Sequence, residues 1–66
     1  MDRAEYKKFL VAEINRTVER LTVSQRVGQL FDNIFLMIRE QGKDPFYIED
    51  DGMLQYLQKY EMFGHL

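Results

Sequence analysis

The chain has 66 residues, with 9 Lys plus Arg against 11 Asp plus Glu, no Cys, no Trp, one Pro and 45% apolar residues. That length holds one domain and no second, and the absence of cysteine excludes the disulfides and Cys-ligated zinc that staple many small domains. The longest apolar run, Ile34 to Ile38, falls far short of the roughly 20 residues of a membrane span, and the start Met1-Asp2-Arg3-Ala4-Glu5 lacks the apolar stretch of a signal peptide, so a soluble cytoplasmic protein is expected.

The first predicted element runs from Asp2 to Leu21. It contains no Gly or Pro, and Tyr6, Leu10, Ile14, Val18 and Leu21 recur at helical steps of four, four, four and three. Asp2 with Glu5 three residues on resembles a capping box with Asp in place of Ser or Thr, and Met1 with Tyr6 stands where a hydrophobic staple belongs. The second element, Val23 to Gln41, carries the stripe Val23, Val27, Leu30, Ile34, Met37 and Ile38, with Phe31 on its edge.

No Gly or Pro separates the two stripes. In one continuous helix the second stripe would lie roughly 150° around the axis from the first, and neither face would be buried. Thr22 with Gln25 supplies a second capping box, and weak helix formers cluster from Leu21 to Ser24. The chain is therefore expected to break there and fold into an antiparallel helical hairpin.

Gly42 sits where a helix-terminating glycine belongs, and Pro45 prevents resumption. Phe46, Tyr47 and Ile48 are expected as an extended segment across the helix pair. Glu49, Asp50 and Asp51 place negative charge at the start of a third helix, which its dipole favours. Met53, Leu54, Leu57 and Tyr60 give that helix an apolar face ending near Gly64. The expected fold is all-α, a small three-helix domain over residues 1–66. It combines a hairpin with a shorter C-terminal helix.

Charge divides unevenly. Residues 1–39 carry seven basic and five acidic side chains, net +2, while residues 40–66 carry two basic and six acidic, net −4. The acidic half is expected to fold back on the basic one.

Arg26, Gly28, Gln29 and Asn33, followed by Asp44, Phe46, Tyr47, Ile48, Glu49 and Asp50, form the most distinctive pattern. It resembles a loose group of short, uncharacterised bacterial and phage reading frames with Arg-x-Gly-Gln-x-x-x-Asn followed by Asp-x-Phe-Tyr-Ile-Glu-Asp. The resemblance covers about half the chain, Gln25 to Leu57, and implies one folded unit and a phage or mobile-element origin. It carries no activity over. Physically, Gln29 and Asn33 are neighbours on one helix flank, placed to hydrogen-bond the backbone of Phe46 to Ile48. Arg26 on the same flank is placed to meet Glu49, Asp50 or Asp51. Gly28, costing about 1 kcal/mol relative to Ala in a helix, implies a close approach to its backbone.

The inventory for catalysis is poor. His65 is the only histidine and penultimate, and the nucleophile choices reduce to Ser24, Thr17, Thr22, Lys or carboxylates, with no base placed beside them. Glu49, Asp50 and Asp51 lack the alternating oxygen ligands of an EF-hand loop. No enzyme activity, cofactor, metal or small-molecule substrate is expected. Thr22 to Arg26 invites comparison with a helix-turn-helix, and Lys7, Lys8, Arg16 and Arg20 add positive charge. The turn lacks glycine, however, the net charge is −2, and the basic residues are spread around the helix.

Phe9, Leu36, Met62 and Phe63 fall off the predicted core faces, Leu36 on the side of α-helical positions Gln25, Gln29, Asp32 and Glu40. Large exposed apolar side chains on a domain too small to cover its own core point to protein binding. The expected function is a non-enzymatic adaptor or inhibitor that binds a protein partner, self-associating as a homodimer. The alternatives are a small nucleic-acid-associated regulator, including an antitoxin-like one, and a structural subunit of a larger assembly.

Overall fold

Helix α1 spans Arg3–Leu21. Asp2 caps it, its side chain accepting from the Glu5 amide at 2.8 Å, which satisfies one of the donors a helix start leaves unpaired. The structure is a computed structural model that describes residues 2–64, so the Met1 half of the staple lies outside the described residues. Leu10, Thr17 and Leu21 are buried and Ile14 and Val18 half-buried. Tyr6, expected in the core stripe, is instead 45% exposed, lining an open hollow between α1 and Glu49 to Asp51. Thr17 is the position the apolar count passed over: it is 1% exposed, and its hydroxyl donates to the Glu13 carbonyl at 2.9 Å.

The chain breaks after Leu21, as the crowding of weak helix formers requires. Helix α2 starts four residues later than the apolar stripe suggests, spanning Val27–Glu40. The expected Thr22–Gln25 capping box is absent. The Thr22 hydroxyl bonds back to the Val18 carbonyl at 2.7 Å, closing α1 instead of opening α2. The α2 start is signalled by Gln29, whose side-chain oxygen accepts from the Arg26 amide at 3.1 Å. Val23, left in the loop, is 87% exposed, and Val27 in the first turn is also exposed. The buried α2 stripe is Leu30, Ile34 and Ile38.

Gly42 ends α2 with φ +79°, a conformation that costs residues with a Cβ. Its amide reaches the Arg39 carbonyl at 2.9 Å and the Lys43 amide the Ile38 carbonyl at 3.3 Å, the paired bonds of a Schellman motif. Phe46 to Ile48 is not the expected extended segment. Pro45–Tyr47 is one 3₁₀ turn capped by Asp44, which accepts from the Phe46 amide at 3.0 Å. A proline at the first helical position after an aspartate cap favours such a turn. Phe46 and Tyr47 consequently point outward and only Ile48 packs on the core.

Helix α3 spans Asp50–Lys59 and widens into a π turn over Tyr60–Gly64. Lys7 of α1 pairs with Asp50 at the start of α3, and Arg20 with Glu61 just past its end. The two helices therefore run in the same sense. Tyr56 pairs with Gln41 and Tyr60 with Asn33, so α2 runs opposite to α3. The result is an all-α domain of three helices with no strand among the described residues, in which α2 crosses over between two parallel helices. Leu21, Leu30, Ile34, Ile38, Tyr56, Leu57 and Tyr60 form the core, with Ile14, Val18, Phe35, Met37, Ile48 and Met53 around it.

The expected folding of acidic on basic halves is seen in the two α1–α3 ion pairs. Arg20 binds both Glu61 oxygens, at 2.8 and 3.1 Å. The hydrogen bond to Glu61 raises the guanidinium's pKa further above its already high ordinary value. No helix among the described residues is long and apolar enough to cross a membrane.

Candidate protein-binding surface

Helix α2 has two unlike sides. Leu30, Ile34 and Ile38 are fully buried. At 100° per residue the side chains farthest from Ile34 are Asp32 and Leu36, and Leu36 is 55% exposed. Gly28, Asp32 and Arg39 stand exposed on the same outer side, with Phe31 and Phe35 half-buried at its edge, their rings tilted with centroids 6.0 Å apart. Leu36 itself borders a shallow hollow of about 330 Å³ shared with Asn33, Met37, Glu40 and Tyr60.

The polar flank of α2 is real but bonds differently from expectation. Gln29 caps its own helix and Asn33 donates to the Tyr60 hydroxyl at 3.2 Å. Neither reaches the backbone of Phe46 to Ile48, whose 3₁₀ turn satisfies itself. Arg26 caps α2 through its backbone and stays exposed, in none of the ion pairs found among the described residues, and Asp50, one of its three expected partners, is taken by Lys7. Gly28 admits no close neighbour, since a Cβ there would meet nothing within 4 Å. The close approach occurs at Gly52, where a Cβ would stand 3.2 Å from the Ile48 side chain.

Gln25 belongs to the inside and not to the Leu36 side. Its oxygen accepts from the Tyr60 hydroxyl at 3.1 Å and its nitrogen donates to the Leu21 carbonyl at 3.3 Å. Tyr60 thus ties the end of α1, the loop before α2 and the flank of α2 together. The sequence signals Tyr60 as an apolar core residue and conceals its hydroxyl's task, which depends on partners 27 and 35 residues away.

The four residues expected to bind a partner are all exposed. Leu36 is on α2 and Met62 and Phe63 are in the π turn, next to the Arg20–Glu61 pair. Phe9 stands eleven residues back from Arg20 on α1, about 16 Å along the helix. Phe46 and Tyr47, unremarked as surface residues by the apolar count, are more exposed than any of the four, and their rings meet edge-on at 5.0 Å.

An open groove of about 490 Å³ lies between the Gln41–Glu49 segment and α3. Lys43 and Lys59 each hold an ammonium 6.0 Å from the Tyr56 ring centroid, and the Tyr56 hydroxyl donates to Gln41 at 2.9 Å. Glu49 and Asp51 balance the two lysines, so the groove attracts neither sign of charge. The hydroxyls considered as nucleophiles are engaged or remote: Thr17 and Thr22 donate to α1 carbonyls, and Ser24 is exposed in the loop. No group of three metal-ligating side chains occurs among the described residues, and His65 lies outside them. No family, no curated protein and no solved structure matches the chain.

Proposed function

We propose that this protein acts without catalysis, by binding another protein through the outer side of α2 around Leu36. The observation that carries the reading is the contrast within one helix: Ile34 is fully buried, and Leu36, on the opposite side, is 55% exposed among further apolar edges. Folding alone does not require a leucine there, whereas a contact that desolvates it gains the full hydrophobic contribution of the side chain. A small cytoplasmic adaptor or inhibitor of phage or mobile-element origin, working as a dimer, is the form this function takes in our reading. A nucleic-acid role has less support, because Lys7, Arg16 and Arg20 are engaged by Asp50, Glu13 and Glu61 and not left free for phosphate.

The test is affinity capture from the native host with the parent protein and with Leu36→Asp as baits. The expected result is a protein retained by the parent and lost by the variant, with the variant's helical circular dichroism unchanged. Capture that survives Leu36→Asp removes this side of α2 as the binding surface.

A further inference from the structure

We propose that the outer side of α2 pairs with a second copy of itself, the two helices antiparallel about a two-fold axis midway between Phe35 and Leu36. The inference rests on the reading of this side as a protein-binding surface and names its occupant.

Gly28, Asp32, Phe35 and Arg39 follow one another at steps of four, three and four, a single stripe along α2. Asp32 and Arg39 are exposed, and neither side chain takes part in the ion pairs found among the described residues. Their own helix offers no partner. Three and four residues from Asp32 stand Gly28, Gln29, Phe35 and Leu36; around Arg39 stand Phe35, Leu36, Gly42 and Lys43. Two opposite charges are thus left without a use inside the monomer, about 10.5 Å apart along the axis.

A two-fold axis midway between them gives both a use. It sets Asp32 against the partner's Arg39, and symmetry repeats the pair at the other end. The same operation gathers Phe35 and Leu36 of both copies around the axis, Phe35 beside the partner's Phe35 and Leu36 beside the partner's Leu36, so the apolar centre and the charged ends match in one register. A parallel pairing would instead oppose like charges at both ends. An unrelated partner would have to reproduce the mirrored spacing; a second copy has it by identity.

Area favours the same arrangement. A stable interface takes about 800 Å² from each partner, more than one short helix face supplies. Antiparallel pairing brings Phe46 and Tyr47, which follow the C-terminal end of α2, level with the loop that precedes the partner's α2 and holds Val23. All three are exposed in the monomer. Gly28, with open space where its Cβ would be, keeps the approach of a second helix unobstructed.

The test is sedimentation equilibrium across the micromolar range at low salt, with circular dichroism on each sample. The parent is expected at twice its 8.0 kDa mass. Asp32→Arg alone and Arg39→Asp alone each oppose like charges and should weaken self-association about tenfold or more. An equimolar mixture of these two variants should restore the dimer, because every cross-pair is then opposite in sign. The double exchange Asp32→Arg with Arg39→Asp should restore it within one chain; in a parallel pairing, where each position faces its own copy, the single changes would replace one like-charge contact with another and weaken nothing. The milder Asp32→Asn and Arg39→Gln should weaken the dimer by smaller factors. A parent mass near 8.0 kDa throughout, dimers indifferent to all single changes, or losses that neither the mixture nor the exchange repairs would each overturn the pairing. If the parent is monomeric while capture of a host protein still depends on Leu36, self-pairing falls and the binding surface stands. If it is monomeric and captures nothing, both fall.

Discussion

Tyr60→Phe removes a single oxygen from the point where three segments of the chain meet. That hydroxyl donates to Gln25 at 3.1 Å and accepts from Asn33 at 3.2 Å, and the residue is 5% exposed. A net intramolecular hydrogen bond contributes about 0.5 to 1.5 kcal/mol, so two of them set an upper range of about 1 to 3 kcal/mol. Asn33 lies at the surface, where water replaces the lost acceptor, whereas Gln25 is half-buried and bound also to Leu21. The expected loss is therefore in the lower part of the range, about 1 to 2 kcal/mol. In a domain of this size each 1 kcal/mol moves the thermal midpoint by about 4 to 8 °C.

Urea unfolding followed by circular dichroism at one protein concentration measures the loss, as a lower midpoint with an unchanged slope. A double-mutant cycle with Asn33→Ala then isolates the shared bond, with an expected coupling of about 0.5 to 1.5 kcal/mol. Gln25→Ala should also be destabilising, in contrast to its expected place on an exposed helix face. Strict additivity of Tyr60→Phe with Asn33→Ala, or a Tyr60→Phe variant as stable as the parent, would refute the role of this hydroxyl.

Three further outcomes are expected in the same unfolding assay. Gly42→Ala should cost about 1 kcal/mol, because φ +79° is unfavourable for a residue with a Cβ, whereas Gly28→Ala, in open space within a helix, should gain about 0.4 to 1 kcal/mol; equal signs would refute the assignment of the two glycines. Leu30→Ala, fully buried, should cost about 2 to 5 kcal/mol, and Leu36→Ala, at a concentration low enough to leave the protein monomeric, no more than about 0.5 kcal/mol, so similar losses there would put the rotation of α2 in error. Thr17→Val should be tolerated, since the Glu13 carbonyl it leaves is also within helix α1, but Thr17→Leu should cost about 1 to 3 kcal/mol by overpacking a site that is 1% exposed; a tolerated leucine would refute the tight packing around Thr17.

Helix existence was legible because apolar spacing records which face is buried. The boundaries were less so. Val23, four residues before Val27, fits the helical spacing from outside the helix by coincidence, and the true start of α2 is marked by Gln29 reaching back to a backbone amide, with an arginine in the cap position that gives no compositional signal. Asp44 before Pro45 did carry a local signal for a capped turn, and the aromatic run after it drew the reading toward an extended segment. The polar flank shows a different limit. Spacing correctly puts Gln29 and Asn33 on one side of a helix, but a side-chain amide has several nearby acceptors, and only the packing of α3 against α2 decides that Asn33 meets Tyr60. Tyr56 was missed for the same reason, since its burial depends on Gln41 taking its hydroxyl across the α2–α3 contact.

The topology accounts for why α2 is the element left with an open side. Ion pairs at both ends fix α1 and α3 in the same direction, and two parallel helices joined in one chain require a return segment between them. Helix α2 is that return. Its inner stripe of Leu30, Ile34 and Ile38 fills the core that α1 and α3 share, and among the described residues no fourth helix covers its outer side. Helix α1 carries Glu5, Lys8, Asn15 and Glu19 outward together with the apolar Tyr6, Phe9 and Val11. Helix α2 carries Leu36 and the edges of Phe31 and Phe35 outward, bracketed by one acid and one base at equal distances from the centre. Those side chains add little to folding while exposed, so the pattern finds its physical use only in an association that covers them.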